Sequence, residues 1–270
     1  MSGLTYGQFL LIFVITPIII LFLSIISGSK ANKTEILWVG LIALIAFVWT
    51  PIWDNYLVAN KIWWYDNNLV WNIIIGYVPL EEYCFFVLQP LLGGLYLMYV
   101  VHKQNFEFNK VTFNINNGIA QFLSILLVIL IWMSSVYYFT NLSAKDEYVQ
   151  WTYLMLIIIW SFPPLLVQLA FAGDILFYHG KLLAFVIMSA TLYLSLADCL
   201  AIHVGIWTIA EDKSLGNIGP ILPFEEAFFF FITNVLCVFG CSFYLLPESR
   251  QRMRRIIAYF TRLNTGKKYE

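Results

Sequence analysis

Seven stretches of this chain are apolar for roughly 20 residues at a time, the length an α-helix needs to cross a hydrocarbon core about 30 Å thick. They cover residues 4–26, 36–58, 79–101, 119–139, 148–172, 182–202 and 223–246. Inside a bilayer every backbone N–H and C=O must find its partner within the protein, so runs of this length read as helices. A composition that is 61% hydrophobic and 11% charged, with a mean hydropathy of +0.78, excludes a soluble domain of this size. The first run lacks the basic start and small-residue cleavage site of a signal peptide and counts as a retained span. The fold class that follows is all-α, a polytopic membrane protein of about seven transmembrane helices.

Basic residues between spans favour the cytoplasmic side. One alternating set of segments holds Lys30, Lys33, Lys103, Lys110, Lys181, Arg250, Arg252, Arg254, Arg255, Arg262, Lys267 and Lys268, and the opposite set holds Lys61, Lys145 and Lys213. This asymmetry predicts a cell-membrane protein with its N-terminus outside and its C-terminus cytoplasmic. The tail RQRMRRIIAYFTRL has basic and apolar residues at near-helical spacing. That pattern suits an amphipathic segment on an anionic leaflet or a solvated topogenic tail.

Charged side chains are costly in an apolar phase, and the chain carries the same costly pair twice. YVPLEEYCFF holds Glu81 and Glu82 behind Pro79, and ILPFEEAFFF holds Glu225 and Glu226 behind Pro223. Sliding the chain by 144 positions aligns residues 50–89 with 194–233 without a gap and with nine identities, among them Asp54 with Asp198 and Trp63 with Trp207. The layout predicted is a 3+1+3 parallel internal repeat. Residues 1–101 form the first three-helix repeat, 102–145 a linker with a connecting helix, 146–246 the second repeat, and 247–270 a basic cytoplasmic tail.

Residues 73–101 as one helix would exceed about 40 Å, so Pro79 is expected to start helix three in its first turn after a non-helical approach, and Pro223 to start helix seven. Asp54 lies 19 residues past Glu35, about 28 Å along helix two, and Asp198 is at a matching height on helix six. Six carboxylates thereby converge on one level of one face. A proline followed by two acids is also an ordinary helix start, favoured by the macrodipole by about 0.3–1 kcal/mol. That reading explains poorly why both copies carry Phe-Phe afterwards and an Asp on the neighbouring helix. Adjacent glutamates project about 100° apart, so at most one of each pair points directly into a given cleft.

The remaining polar features carry less. Cys84, Cys199, Cys237 and Cys241 sit in apolar spans without a CxxC or His-rich pattern, so neither a disulfide nor a structural metal is expected. The sequon at Asn141 and Ser143 is a weak three-residue match. His203 near the end of helix six is either a proton relay or a solvated helix-end histidine. Asp174 and His179 read as solvated inner-loop residues, Glu211 and Asp212 as loop acids, and Asp66 as a loop acid close enough to touch the site.

The P-x-E-E motif in each of two parallel three-helix halves, each preceded by an Asp near the end of the previous helix, resembles the membrane-integral lycopene cyclase family. That family occurs in archaea, in some bacteria and, fused to phytoene synthase, in fungi; in some bacteria its halves are separate subunits. The resemblance covers nearly the whole chain and is strongest over residues 50–100 and 194–246. The first half has TPIWDNYLV and WWYD where the second has ADCLAIHV and WTIA. The resemblance implies catalytic residues Asp54, Glu81, Glu82, Asp198, Glu225 and Glu226. It also implies a carotenoid substrate, lycopene, held in the lipid bilayer, and other enzymes of the carotenoid pathway as partners.

The implied reaction protonates the terminal double bond of a linear end group. The resulting tertiary cation is attacked by the next double bond to close a six-membered ring, and a proton is lost, giving β-ionone rings on β-carotene by way of γ-carotene. This is a redox-neutral isomerisation, in keeping with the lack of a Gly-rich dinucleotide fingerprint, so no cofactor is expected. A carboxylic acid in a dry apolar setting can stay protonated as donor while a neighbouring carboxylate accepts the final proton or steadies the cation. The expected donor is Glu81 or Glu82 at one site and Glu225 or Glu226 at the equivalent site of the second half, the two glutamates of a pair dividing the roles. Aromatic faces steady cations without quenching them. Trp53, Trp63, Trp64, Tyr65, Phe85, Phe86, Trp207, Phe229 and Phe230 are candidates, although such stripes also serve as packing or interfacial belts.

Rival classes are a small-solute transporter with 3+1+3 repeats, a retinal-binding seven-helix protein, a prenyltransferase and a membrane carotenoid hydratase. The spans hold few Asn, Gln or Ser clusters suited to a sugar, the last span lacks a Schiff-base lysine, and no DxxD cluster binds Mg²⁺ and diphosphate. A hydratase makes the same first cation and quenches it with water, so residue types alone do not separate it from a cyclase. No nucleic-acid partner is expected.

Overall fold

The computed structural model describes residues 3–28, 32–103, 115–142 and 146–265, with the side chains of 146–148, 260 and 262–265 excepted. Lys30, Lys110, Ser143, Lys145, Lys267 and Lys268 lie outside the described residues. Among the described residues, seven helices are long and apolar enough to cross a membrane. They are α1 (Tyr6–Ser27), α2 (Lys33–Ala59), α3 (Leu80–Lys103), α4 (Ile115–Asn141), α5 (Thr152–Tyr178), α6 (Gly180–Val204) and α7 (Phe224–Leu245). A further helix, α8 (Pro247–Thr265), forms the tail and exposes Ile256, Ile257 and Tyr259. Large side chains such as Ile52 and Val167, 81% and 69% exposed, face away from the bundle, an arrangement suited to lipid.

Prolines inside the helices shape how they meet. Each removes the N–H that would pair with the carbonyl four residues earlier, and a carbonyl left bare in an apolar phase is costly. Pro163 and Pro164 free the carbonyls of Ile159 and Trp160 on α5. The indole of Trp132 on α4 donates to the first at 3.2 Å and that of Trp49 on α2 to the second at 3.3 Å. Pro17 likewise frees the Phe13 carbonyl on α1, beside a π-helical stretch at Leu10–Ile15, and the Tyr193 hydroxyl on α6 donates to it at 2.9 Å. The breaks in single helices become ties between helices.

Helices α3 and α7 form the centre and pack against each other; two thirds of α3's apolar window is buried, 67%, and 61% of α7's, against 11% for peripheral α4. Between them Gln89 donates to Asn234 at 3.2 Å in an otherwise apolar interior. At one end of the bundle, α2 and α6 both stop on a left-handed residue, Lys61 (φ 53°) and Gly205 (φ 84°), which are 144 positions apart. Strand β1 (Trp63–Tyr65) then pairs antiparallel with β4 (Trp207–Ile209), Trp64 opposite Thr208. Two short hairpins follow, β2 (Ile74–Ile75) with β3 (Val78–Pro79) and β5 (Asn217–Ile218) with β6 (Leu222–Pro223). They lead straight into α3 and α7. Pro79 and Pro223 end strands, Pro223 with an extended ψ of 145°, and the helices start one residue later rather than with these prolines in their first turn.

At the opposite end, ion pairs replace the solvated residues expected from sequence. Asp174 takes Arg252 of α8 at 2.7 Å, and His179, only 7% exposed, faces Glu248 at 3.4 Å. Glu35 accepts the Asn32 N–H in a capping box at the start of α2 and also meets His102 of α3 at 3.0 Å and Arg250 of α8 at 3.4 Å. Folding α8 back onto the bundle makes these pairs, a tertiary effect that a linear reading misses. Burial opposes the Glu248 charge, and the hydrogen bond and charge of His179 together with a bond from the backbone N–H of Glu248 itself more than offset this, so Glu248 titrates below its ordinary value.

Candidate active site

Four carboxylates from four helices line one cavity of about 40 Å³ beneath the β1–β4 ribbon: Asp54 of α2, Glu82 of α3, Asp198 of α6 and Glu226 of α7. The bundle geometry explains why. Asp54 and Asp198 lie near the ends of helices running toward the ribbon, Glu82 and Glu226 near the starts of helices running away from it, so all four reach one level. The rest of the wall is aromatic or aliphatic, including Trp63, Tyr65, Phe85, Trp207, Phe229 and Phe230. Among the described residues lining it, no Lys, Arg or His is present to balance the acids.

Each acid has a different set of donors. Glu82 accepts on one oxygen from two phenols, Tyr6 at 2.6 Å and Tyr65 at 3.0 Å, and Trp63 donates in turn to the Tyr65 hydroxyl at 3.1 Å. Glu226 accepts from Tyr153 at 2.7 Å, and Asp198 from the Trp207 indole at 3.0 Å. Oδ2 of Asp54 and Oδ2 of Asp198 are buried without a hydrogen-bond partner among the described residues. Burial, with the Asp54 and Glu82 carboxylates next in effect, pushes the Tyr65 hydroxyl well above its ordinary value, so Tyr65 remains a proton-bearing donor. Between them the acids, phenols and indoles make a proton-rich pocket walled by π-faces.

The first glutamate of each pair does something else. Glu81 and Glu225 are fully buried and turn toward the approach hairpins. Glu81 accepts the backbone N–H of Trp71, and Glu225 the N–H of Leu215 at 2.7 Å together with the Ser214 hydroxyl at 2.7 Å. Both backbone contacts span ten residues and are themselves 144 apart. The 100° offset between adjacent helical residues divides each pair into one group facing the cavity and one fastening the hairpin.

The predicted aromatic set divides as well. Trp63, Phe85, Trp207, Phe229 and Phe230 line the cavity. Trp53 lies behind it, stacked on Trp160 at 4.6 Å and on Phe229 at 5.7 Å, with its indole donating to the Leu156 carbonyl. Trp64 is 46% exposed and points away, because alternate residues of a strand face opposite sides. Phe86 packs on Tyr83, off the cavity wall. Asp66 is exposed and caps its own turn at Asn68, and His203 is exposed at the end of α6; neither lines the cavity. The residues not anticipated are Tyr6, Tyr153, Phe9 and Leu194. Tyrosine near the end of an apolar run has the signature of an interfacial belt residue, so nothing local marked Tyr6 or Tyr153 as acid partners.

A sequence model described as lycopene cyclase matches residues 8–101. The lycopene beta-cyclase of Halobacterium salinarum is 30% identical over 253 residues, which cover 92% of this chain and 99% of that protein. Two fungal relatives are bifunctional lycopene cyclase/phytoene synthases. That of Sporisorium reilianum is 31% identical over 88% of this chain and 34% of its own length, and that of Phaffia rhodozyma 30% identical over 90% and 37%. The chain thus spans about a third of the fungal proteins it matches. No solved structure matches it.

Proposed function

The chain belongs to the lycopene cyclase family, and from that premise we propose that it cyclises the linear end groups of lycopene to β-ionone rings within a bilayer. The observation that carries the reading is the cavity itself: four carboxyl groups, no cation among the lining residues, and aromatic walls. Protonating an alkene needs a strong acid held away from water, and the cation it creates needs negative charge or π-faces nearby but no nucleophile. Asp54 serves as donor in this proposal, because its Oδ2 is buried without a partner, as is that of Asp198, but Asp198 also accepts the Trp207 indole N–H, which favours its charged form. Glu82, already the acceptor of two phenols, carries the negative charge that steadies the cation and then takes the proton lost when the ring is formed. Asp198 and Glu226 return that proton to Asp54 across the pocket. One proton enters and one leaves the substrate, so the isomerisation balances with no co-reactant.

The residue pairs 144 apart that recur in the acids, the helix stops and the hairpin clamps support a 3+1+3 parallel repeat in which each half supplies one Asp and one Glu to a shared cavity. The bias of the basic residues supports an arrangement with the cavity at the outer side and α8 at the cytoplasmic side. Expression in a lycopene-accumulating host, with chromatographic separation of the pigments, tests the activity. Cyclic carotenes are expected. Unchanged lycopene from folded, membrane-inserted protein overturns the proposal, and hydroxylated products assign the chain to water addition instead.

A further inference from the structure

A second hollow lies directly below the acid cavity, and we infer that it holds the linear shaft of the polyene while the end group reaches the acids; this rests on the cyclase reading. The acid cavity, about 40 Å³, is smaller than the roughly 150 Å³ that houses one benzene. A ring-sized end group therefore needs adjoining space. A groove of about 370 Å³ between α1, α3, α6 and α7 supplies it, and Leu194 lines both spaces. On α7 the acid cavity ends at Phe230 and the groove takes in Asn234; on α3 it takes in Leu92, Gly93 and Tyr96, and on α6 Ala190 and Leu194. Eight residues from Glu226 to Asn234 and fourteen from Glu82 to Tyr96 put the groove about 12–21 Å further along the bundle. All three helices carry it the same way, away from the acids.

The lining chooses the ligand class. Its polar side chains are already satisfied within the protein. Tyr193 donates to the Phe13 carbonyl at 2.9 Å, the Ser189 and Tyr96 hydroxyls bond at 3.0 Å, and Asn234 donates to the Phe230 carbonyl at 2.8 Å while accepting from Gln89. What remains for an occupant is hydrocarbon. A Cβ on Gly93 would meet Asn234 Oδ1 at 3.6 Å, an ordinary contact, so packing does not demand glycine there, and its bareness widens the groove. The mouth opens on the lipid-facing side, where Ile20 is 59% and Tyr193 39% exposed. A long apolar molecule dissolved in the bilayer can slide in sideways without leaving hydrocarbon.

The test uses full-length protein in liposomes with lycopene and compares wild type with Ala190→Phe, Gly93→Leu and Ile20→Trp. Ile20 is exposed, so its replacement leaves folding intact even if the interior variants fail to fold; thermal melting checks all three. Blocking the shaft is expected to raise the apparent KM for lycopene about tenfold while kcat stays within about threefold, the signature of lost binding rather than lost chemistry. Unchanged KM in folded Ile20→Trp and in one folded interior variant overturns the inference. The same holds if those variants lose only co-purifying phospholipid, because the groove then belongs to an acyl chain. Wild-type protein that leaves lycopene linear refutes the cyclase reading instead, and titrating lycopene against tryptophan fluorescence then reads the groove directly: binding weakened by the three substitutions sustains it, and binding indifferent to them overturns it.

Discussion

The two phenols on Glu82 give the sharpest check of its role. Tyr6→Phe removes the shorter hydrogen bond, 2.6 Å, and Tyr65→Phe the longer, 3.0 Å, each at the cost of one oxygen. A hydrogen bond to a charged group contributes about 1.5–3 kcal/mol, and 1.36 kcal/mol is a factor of ten, so Tyr6→Phe is expected to slow cyclisation by about 10- to 150-fold. Tyr65→Phe has the smaller effect on the charge of Glu82, because its bond is longer. The double variant should lose less than the product of the two, since both donors share one oxygen. Single-turnover rates on lycopene in membrane vesicles isolate the chemical step. The direction is diagnostic. If Glu82 were the proton donor, removing donors that favour its charged form would speed protonation, so a rate that rises or stays unchanged in folded Tyr6→Phe refutes the assignment of negative charge to Glu82.

Other consequences can be checked beside it. Asp54→Asn, nearly isosteric but unable to supply the proton, should lower the single-turnover rate by about 10²–10⁴-fold with little change in melting temperature. Glu81→Ala and Glu225→Ala should act on stability first: each unpaired buried donor costs about 1–3 kcal/mol, so the thermal midpoint falls further for Glu225, which holds two donors, than for Glu81, which holds one. Glu248 titrates below its ordinary value of 4.5, so its contact with His179 stabilises the fold fully above that value and loses this contribution as pH falls through the lowered one. The melting difference between wild type and Glu248→Gln should accordingly be present at neutral pH and vanish in acid. The proposal that one acid cavity serves both ends of lycopene in turn predicts that a monocyclic carotene builds up and decays before the bicyclic product dominates in a pigment time course; bicyclic product with no monocyclic phase contradicts release between the two ends.

Much of this architecture is legible in one dimension because the bilayer simplifies the rules. Apolar length alone located all seven helices, and the expected helix-three start differs from the observed Leu80 by a single residue. The level of Asp54 against Glu82 followed from counting 1.5 Å steps up one helix and down the next. What linear reading lacks is rotation. Glu81 and Glu82 are equivalent in composition, depth and helix position, and only the way α3 faces its neighbours turns one to the cavity and the other to the Trp71 backbone. Rotation also separates Trp63 from Trp64 on one strand. Long-range partners are hidden for a related reason: Tyr6 and Tyr153 lie 76 and 73 positions from the acids they serve, and no local pattern encodes that distance.

The proposed pairing of two halves has a chemical logic that neither half holds alone. One Asp and one Glu from a single repeat would put donor and acceptor on adjacent helices, with the substrate on one side of both. In the proposed mechanism the second pair, Asp198 and Glu226 across the cavity, encloses the end group and gives the proton taken up by Glu82 a route back to Asp54. The two Asp–Glu pairs differ in their supports. Glu82 has two phenols where Glu226 has one, and although Oδ2 of both aspartates lacks a partner among the described residues, Asp198 alone has an indole on Oδ1. Trp207 keeps its contact with Asp198, while its counterpart Trp63 is spent on Tyr65. This inequality breaks the degeneracy of four like acids: a symmetric pocket would scatter one proton among equivalent sites, whereas unequal donors bias it toward the carboxyl with the fewest, the one that must deliver it.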